Sequence, residues 1–166
     1  MGSVVIRAMN EGDLDGVAAV HQAAFVRQKM SRDWIGCNFT AFPRMQFFVA
    51  EQDGTVCGFI HWTQKSGFRA EVVLELEQIG VHPDVHGQGI GTSLIRNSLP
   101  MVCEQFAERG AVLKHIIVTT RADNDAQRLY KKVLGAEIEA VITNLYSADE
   151  VLMIVRHVSV EGISGQ

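Results

Sequence analysis

The sequence predicts an α+β (α/β) domain in which a central sheet of about seven strands is flanked by about four helices. Strand-like and helix-like patterns follow one another along the chain in the order β-α-α-β-β-β-α-β-α-β-β. A glycine-rich segment joins the end of the fourth strand pattern to the start of the third helix. With 166 residues, of which 47% are hydrophobic and 20% charged, the chain is long enough to bury a substantial core.

The first part of the chain contains four predicted strands and two predicted helices. Asn10–Asp13 supplies cap residues for the first helix, and Asp53-Gly54 is a hairpin signal because a type I′ turn needs positive φ values. His21, on the first helix, is expected to lie at the surface or to be half-buried. The predicted strands cover residues 4–7, 46–51, 55–62 and 70–81, and the helices follow residue 13 and lie within 30–43.

The second part of the chain contains two predicted helices and three predicted strands. Pro100 cannot donate to the carbonyl of Arg96, so it should kink or divide the third helix. Asn124 and Gln127 have the spacing of a capping box at the start of the fourth helix. The predicted elements are a helix from Ile90 that ends at Gly110, a buried strand over 112–119, a helix from Asp123 that ends at Gly135, and strands over 137–143 and 150–157. Residues 1–158 are expected to form one domain, and the small, polar tail 159–166 is expected to be disordered.

Composition argues against several classes of protein. A formal net charge of −4 argues against nucleic acid as a partner, because no basic face compensates for it. The sequence has no apolar run of membrane-spanning length and no secretory signal, so we expect a cytoplasmic protein without a membrane partner. Cysteines are few and widely separated, and no His/Cys cluster has zinc-ligand spacing, so no metal is expected. Cys57 and Cys103 fall in apolar patterns and are predicted to be buried thiols.

The segment after the fourth predicted strand is the most informative part of the chain. Pro83 ends that strand because it has no N–H for the ladder, and Gly87, Gly89 and Gly91 then let the backbone turn and approach a ligand. A helix N-terminus follows at Ile90, where unpaired N–H groups and the helix dipole favour a phosphate. The glycine spacing does not fit the Rossmann pattern G-x-G-x-x-G, and no Lys follows as in a P-loop.

The spacing V-x-P-x-x-x-G-x-G-x-G-x-x-L over residues 81–94 resembles the acetyl-CoA loop of the GNAT superfamily of N-acetyltransferases. That family usually has Arg or Gln where this chain has His86. A second segment, Asn124–Tyr130 followed by Leu134–Ala136, is similar to another motif of the family. The element order also matches the family along nearly the whole chain.

The resemblance implies a GNAT-like acyl-CoA N-acyltransferase fold, with a mixed, mostly antiparallel, twisted sheet whose fourth and fifth strands splay apart. It also implies acetyl-CoA as the donor, CoA as the product and no metal. Ile79 and Val81 would pair their backbone groups with the pantetheine arm. Asn124 would bind the cofactor or cap a helix, and Tyr130 would contact the cofactor. The loop residues that would hold the pyrophosphate are His86, Gly87, Gln88, Gly89, Ile90, Gly91 and Thr92.

The reaction implied by the resemblance is transfer of an acetyl group to a primary amine by direct attack in a ternary complex. Tyr130 would return a proton to the departing thiolate, since a phenol with a pKa of about 10 stays protonated at neutral pH. Glu75 and Glu77 are candidate bases on one face of the fourth strand, and a purely solvated role stays open for either. A backbone N–H near Val81 would stabilise the oxyanion.

Two alternatives stay open at the level of the sequence. A non-catalytic acyl-CoA-binding sensor would keep the loop, but it would not need the thiolate acid Tyr130. The segment 30–43 is interpreted as a short helix packed on the sheet, and the resemblance implies the alternative that Trp34 and Phe39 in this segment line the acceptor pocket. The acceptor itself, a small-molecule or peptide amine, is not legible in the sequence. Homodimers are common in the family, but no interface is recognisable in this chain.

Overall fold

The structure, a computed structural model, describes residues 2–156 and residue 158, and this part of the chain contains seven strands and four helices. The strands are β1 (Val4–Ala8), β2 (Met45–Gln52), β3 (Thr55–Gln64), β4 (Glu71–Val81), β5 (Val112–Arg121), β6 (Glu137–Ile142) and β7 (Glu150–Arg156). The helices are α1 (Leu14–Ala24), α2 (Ser31–Phe39), α3 (Ile90–Glu108) and α4 (Ala126–Leu134). The predicted element order is confirmed. The tail 159–166, expected to be disordered, and residue 157, expected in the last strand, lie outside the described residues.

All seven strands belong to one mixed sheet in the order β1-β2-β3-β4-β5-β7-β6. Strand β1 pairs with β2, and β7 with both β5 and β6, in antiparallel fashion. The β4–β5 ladder is parallel and runs from Glu71 opposite Val112 to Glu75 opposite Ile117. Both strands continue beyond this ladder, β4 to Val81 and β5 to Arg121. The mixed sheet with splayed fourth and fifth strands is therefore confirmed.

The chain divides into two compact units, each made of two segments. Among the described residues, one unit contains those up to residue 62 together with residues 78–99, and the other contains residues 63–77 and those from residue 100 onward. In the first unit, helices α1 and α2 bury an apolar cluster with strands β2 and β3. Its fully buried members include Val17, Ile35, Val49 and Phe59. Burial of each such side chain stabilises the fold by about 1.5–3 kcal/mol.

Helix α1 is preceded by a short 3₁₀ turn, Glu11–Asp13, whose N-terminus has a reciprocal capping box. The Asn10 side chain accepts from the Gly12 N–H at 2.9 Å, and the Asp13 carboxylate accepts from the Asn10 N–H at 2.8 Å. The predicted cap residues are thus confirmed. Arg7, on β1, donates to Asp13 at 2.7 and 2.8 Å and to Glu51 at 2.6 and 3.0 Å. These bonds join the start of α1 to strands β1 and β2.

Helix α3 is one continuous helix of 19 residues that contains Pro100 in its interior. Division of the helix at this proline, one of the two predicted outcomes, is therefore wrong. Pro100 removes one backbone bond, but Leu99 and Val102 beside it are fully buried, and this packing offsets the loss. The helix ends as predicted at Gly110, whose φ is +69°. The N–H of Ala111 reaches the Phe106 carbonyl at 2.9 Å, the pattern of a Schellman cap.

The start of helix α4 differs from the predicted capping box. The Asn124 side chain accepts from the Ala126 N–H at 2.9 Å, so it caps the helix one residue earlier in the turn than the motif requires. Gln127 donates to the carbonyls of Arg121 and Ala122 at 3.1 and 2.9 Å instead of to the residue that caps the helix. Asn124 and Gln127 have the spacing of a capping box. The side-chain NH₂ of Gln127, however, donates to carbonyls of the preceding turn. The helix ends at Gly135, as predicted, with φ +69°.

Three expectations about burial need correction. Strand β5 extends to Arg121, and it alternates buried and accessible residues from Val112, which is 63% exposed. The strand is therefore amphipathic. Its many β-branched residues led to the expectation of full burial, because such residues are also typical of buried strands. His21 is fully buried. Its burial is tolerated because both ring nitrogens have hydrogen-bond partners and the ring stacks on Phe25 with a centroid distance of 4.9 Å. Cys57 is buried as predicted, whereas Cys103 is only half-buried.

The Arg7–Asp13 pair gives a prediction for the pH dependence of stability. The hydrogen bonds from Arg7 lower the pKa of Asp13 below its ordinary value of 3.8. This stabilisation is present above the unfolded pKa and is lost as the pH falls through the lower folded pKa. Arg7→Met should therefore lower the free energy of unfolding by about 2 kcal/mol at pH 7 and by much less at about pH 2 in urea titrations.

The matched control for this prediction is Arg32→Met. Arg32 pairs with Asp15 at 2.7 Å, but both side chains are mostly exposed, so the change should cost less than about 0.5 kcal/mol. Equal losses for Arg7→Met at both pH values would contradict the assignment.

Candidate active site

The loop between β4 and α3 has the strand-to-helix geometry that the sequence predicts. Strand β4 ends at Val81, Pro83–Val85 forms one 3₁₀ turn, and α3 begins at Ile90. Gly87 and Gly89 have φ values of +78° and +77°. A Cβ atom at either position would meet no atom within 4 Å, so the backbone conformation, rather than lack of space, requires glycine.

The loop leaves a row of backbone N–H groups without acceptors. Within the part of the chain that the structure describes, the N–H groups of residues 87–92 donate no hydrogen bond. The first bonded amide is that of Ser93, which donates to the Gly89 carbonyl at 3.0 Å. These free donors lie at the positive end of a 19-residue helix. Such a row of amides is chemically suited to bind phosphate oxygens.

Packing beneath the loop fixes the first turn of α3. Ile90 and Leu94 are almost completely buried, while residues 86–89 are exposed. A Cβ atom added to Gly58 on β3 would lie 3.2 Å from the side chains of both Ile90 and Leu94. The absence of a side chain at Gly58 therefore lets α3 approach β3 closely, and this contact sets where the free amides point.

His86 braces the loop from within. Its Nε2 donates to the Val81 carbonyl at 2.8 Å, which ties the loop back to the last residue of β4. The next residue, His82, donates its N–H to the Cys57 carbonyl at 2.8 Å, which holds the start of the loop on β3. The side chain of His86 thus supports the loop conformation, and its N–H lies just before the free amides.

The second unit carries the predicted reacting residues. Tyr130, on α4, is 5% exposed, and burial raises the pKa of its phenol to about 12. Its hydroxyl therefore keeps its proton at neutral pH. Asn124 uses both ends of its amide internally, because its Nδ2 donates to Thr120 Oγ1 at 2.9 Å while its oxygen caps α4. The position of Asn124 favours a capping role over a reacting one.

Glu75 and Glu77 project from the half-buried face of β4. The alternate residues Val72, Leu74 and Leu76 are buried, which confirms that the two carboxylates share the opposite face. Glu75 accepts an ion pair from Lys65 Nζ at 2.8 Å, and its side chain is 14% exposed. Lys65 was not predicted from the sequence, because the contact depends on the β3–β4 register, which no local pattern encodes.

Trp34 and Phe39 lie on α2 but have different surroundings. Trp34 is 38% exposed, and its Nε1 donates to Gln78 Oε1 at 2.9 Å. Phe39 packs edge-on against Phe47 and lines a largely apolar cavity of about 220 Å³ with side chains from β1 and β2. Gln78 is a further residue that sequence reasoning missed, since its partners are 44 and 50 residues away.

Comparison with known proteins identifies the family. A sequence model described as the acetyltransferase (GNAT) family matches residues 15–136, a range that contains every predicted site residue. The chain therefore belongs to the acetyltransferase (GNAT) family.

Two curated relatives are both called mycothiol acetyltransferase. The protein of Amycolatopsis mediterranei is 32% identical over 141 residues, which cover 74% of this chain and 42% of the relative. The protein of Propionibacterium freudenreichii subsp. shermanii is 31% identical over 98 residues, which cover 51% of this chain and 29% of the relative. The chain thus spans less than half the length of these relatives.

Solved structures share the fold along nearly the full chain. Arabidopsis thaliana NAA60, in complex with a bisubstrate analogue, superposes with a TM-score of 0.75 at 18% identity and covers 95% of this chain and 100% of its own. Salmonella typhimurium yncA, described as a putative acetyltransferase with its cofactor acetyl-CoA, has a TM-score of 0.69 at 16% identity and covers 92% of this chain and 93% of its own.

The helices of the described residues were also compared with the requirements of a membrane span. None of them combines the length and the apolar character that a membrane-spanning helix needs.

The glycine loop gives a prediction that separates strain from function. Gly89→Ala forces an L-residue into a left-handed conformation, which should cost about 1–2 kcal/mol of stability. If the loop amides bind the cofactor, the dissociation constant of CoA measured by calorimetry should also rise at least about tenfold.

Gly54→Ala is the matched control, because Gly54 has φ +78° and open space around its Cβ position but lies in the β2–β3 hairpin. It should lower the melting temperature similarly and leave CoA affinity unchanged. Unchanged affinity in Gly89→Ala as well would exclude the loop as the cofactor site.

Proposed function

We propose that the protein is an acetyl-CoA-dependent N-acetyltransferase that acts on a primary amine by direct attack in a ternary complex. The observation that carries this proposal is the row of unbonded amides at residues 87–92, in a chain that belongs to the acetyltransferase (GNAT) family. One structural neighbour contains its cofactor acetyl-CoA and another contains a bisubstrate analogue, and both support the proposal.

The loop would bind the donor through its pyrophosphate. The free amides of Gly87, Gln88, Gly89, Ile90, Gly91 and Thr92 are the groups assigned to this role. His86, whose N–H donates to the Pro83 carbonyl at 3.2 Å, is assigned to it as well. Charge-assisted bonds from backbone N–H groups to phosphate oxygens are about twice as strong as neutral ones. Ile79 and Val81 lie on β4 beyond its ladder with β5, and they are assigned to the pantetheine arm, whose amides can pair with a strand.

Tyr130 is proposed as the acid of the reaction. As the amine nitrogen bonds to the thioester carbon, the carbon–sulfur bond breaks and the thiolate leaves with the electron pair. The phenol then donates its proton to the sulfur. A pKa of about 12 keeps the phenol protonated at neutral pH, so it is always available as a donor. Asn124 is proposed to cap α4 and thereby to hold the helix that carries Tyr130.

A carboxylate of β4 is proposed to accept the proton that the amine loses. Glu75 is paired with Lys65 and largely shielded from solvent, which suits a base in a fixed position. The ion pair, however, occupies one of its two carboxylate oxygens. Glu77 is the second candidate, through water. A backbone N–H near Val81 is assigned to the oxyanion that forms on the thioester carbonyl.

The remaining assignments concern the acceptor and the organisation of the chain. We assign Trp34 and Phe39 to the acceptor side, which would receive a small-molecule or peptide amine. We further propose that residues 1–158 constitute one catalytic domain, which works without metal in the cytoplasm and could form a homodimer.

The reaction predicts a specific defect for Tyr130→Phe. Release of free thiol from acetyl-CoA, followed with a panel of amines, should show a kcat lowered by about a hundredfold or more. The dissociation constant of acetyl-CoA should stay within about twofold, because the ring remains. The chain has a second tyrosine, Tyr146, which is 75% exposed, and Tyr146→Phe should leave kcat unchanged.

The outcome also distinguishes an enzyme from a sensor. Tight CoA binding without turnover on any amine, and with no effect of Tyr130→Phe, would exclude the catalytic proposal and support a non-catalytic acyl-CoA-binding module.

The two candidate bases can be separated by amide variants. Glu75→Gln or Glu77→Gln, whichever removes the base, should lower kcat by about a hundredfold at pH 7 and less at high pH, where the amine is already neutral. Lys65→Met is the matched variant for Glu75. It removes the ion pair but keeps the carboxylate, so it should alter the pH profile of kcat only if Glu75 is the base. Full activity in both Gln variants would mean that neither carboxylate is required.

A further inference from the structure

A chain of hydrogen bonds connects strand β4 to the segment between α1 and α2. Gln78 Oε1 accepts from Trp34 Nε1 at 2.9 Å, and Gln78 Nε2 donates to Gln28 Oε1 at 3.1 Å. The same Gln28 oxygen lies 3.0 Å from His21 Nε2, and His21 Nδ1 lies 2.8 Å from Ser31 Oγ. Five side chains from β4, α1, α2 and the intervening segment thus form one continuous network.

The direction of every bond in this network follows from Trp34. An indole N–H can only donate, so Gln78 must turn its oxygen toward Trp34 and its NH₂ toward Gln28. Gln28 must then present its oxygen to both Gln78 and His21. Because that oxygen accepts, His21 must carry its proton on Nε2, and its Nδ1 accepts from the Ser31 hydroxyl.

His21 makes this arrangement costly to break. The side chain is fully buried, and burial lowers the pKa of the imidazole, so the ring is neutral at physiological pH. A neutral imidazole has one donor and one acceptor, and both are used here. Loss of either partner would leave a buried polar atom unsatisfied, which costs about 1–3 kcal/mol.

The segment held by the network is largely exposed. Val26 and Met30 are 74% and 72% exposed, and Met30 adopts a left-handed conformation with φ +54° just before α2. Gln28 and Ser31 line an open cavity of about 640 Å³ between α1 and α2. Besides the network, the Gln28 N–H donates to the Phe25 carbonyl at 2.8 Å, and the Trp34 N–H donates to the Met30 carbonyl at 2.9 Å. Arg32, next to Ser31, pairs with Asp15 of α1 at 2.7 Å, but both of these side chains are mostly exposed.

We infer that Gln78 is a positioning residue for the acceptor side of the site. It fixes the α1–α2 segment, and with it the indole of Trp34, against the strand whose next residue, Ile79, is assigned to the donor. This inference rests on the proposed function for its kinetic consequence, since Trp34 is assigned to the acceptor. Gln78 itself acts through Trp34 and Gln28.

The network can be reversed without loss of a bond, which provides a sharp test. In Gln78→Glu, the carboxylate still accepts from Trp34, but it now needs a donor from Gln28. Rotation of the Gln28 amide supplies that donor and turns its second N–H toward His21 Nε2. His21 must then move its proton to Nδ1, which donates to Ser31 Oγ. Gln78→Glu should therefore keep the segment in place and switch the His21 tautomer.

The kinetic test compares Gln78→Leu, which removes both bonds, with Gln78→Glu. Gln78→Leu should raise the KM of the amine acceptor about tenfold, with kcat and the KM of acetyl-CoA changed less than about twofold. Gln78→Glu should restore most of the acceptor KM. Gln22→Leu is the matched control, because Gln22 is exposed and lines the same cavity outside the network. An acceptor KM in Gln78→Leu equal to that of wild type would overturn the inference.

A second test needs no turnover, so it remains decisive if the proposed function fails. Amide exchange of residues 26–31 should accelerate about tenfold or more in Gln78→Leu, with wild-type rates in Gln22→Leu and Gln78→Glu. Long-range ¹H–¹⁵N spectra should show the His21 proton on Nε2 in wild type and on Nδ1 in Gln78→Glu. Unchanged exchange in Gln78→Leu, or an unprotonated Nε2 in wild type, would refute the network.

Discussion

The close approach of helix α3 to strand β3 at Gly58 is the constraint on which the candidate donor site depends. Ile90 and Leu94 occupy the space that a side chain at Gly58 would need, and the Gly80 carbonyl lies 3.2 Å from the same point. Strands β3 and β4 and the first turn of α3 therefore meet so closely that a side chain at Gly58 would have to displace one of them. Because close-packed contacts of this kind do not deform continuously, the loop that joins β4 to α3 has its two ends fixed.

Fixed ends explain why the loop can leave so many donors unused. Several other helix termini within the described residues provide partners for some of their orphan backbone groups. The Asn10 and Asn124 side chains cap N-termini, and Gly110 and Gly135 end helices with backbone bonds back into the last turn. At the start of α3, by contrast, residues 87–92 present a continuous row of N–H groups without an acceptor among the described residues. Gly87, Gln88 and Gly89 are exposed, so water hydrates their N–H groups in the free protein and the cost of leaving them unbonded is small.

The sequence determined the order and type of the elements because these depend on local patterns. Alternation, helical periodicity and the Asp53-Gly54 and Gly135 signals are all contained within short stretches. The same stretches could not specify contacts between residues far apart in the chain. Three such contacts depend on which strands and helices become neighbours. They are the Lys65–Glu75 ion pair, the burial of His21, and the hydrogen bonds of Gln78 to Trp34 and Gln28. Division of α3 at Pro100, one of the two predicted outcomes, was wrong because tertiary packing overrode a local propensity.

The two glycine-ended helices have a consequence for how the chain tolerates changes in length. Only residues 109–111 separate α3 from β5, and only Gly135 and Ala136 separate α4 from β6. Each helix cap thus sets the first residue of the following strand directly. One inserted residue at the α3–β5 link would shift the register of β5 by one and turn its buried side chains Ile116 and Val118 outward. At the α4–β6 link it would shift the pairing of β6, whose side chains are all exposed, with β7. The connection between β6 and β7, residues 143–149, is mostly exposed, so natural or engineered variation in length is best accommodated there.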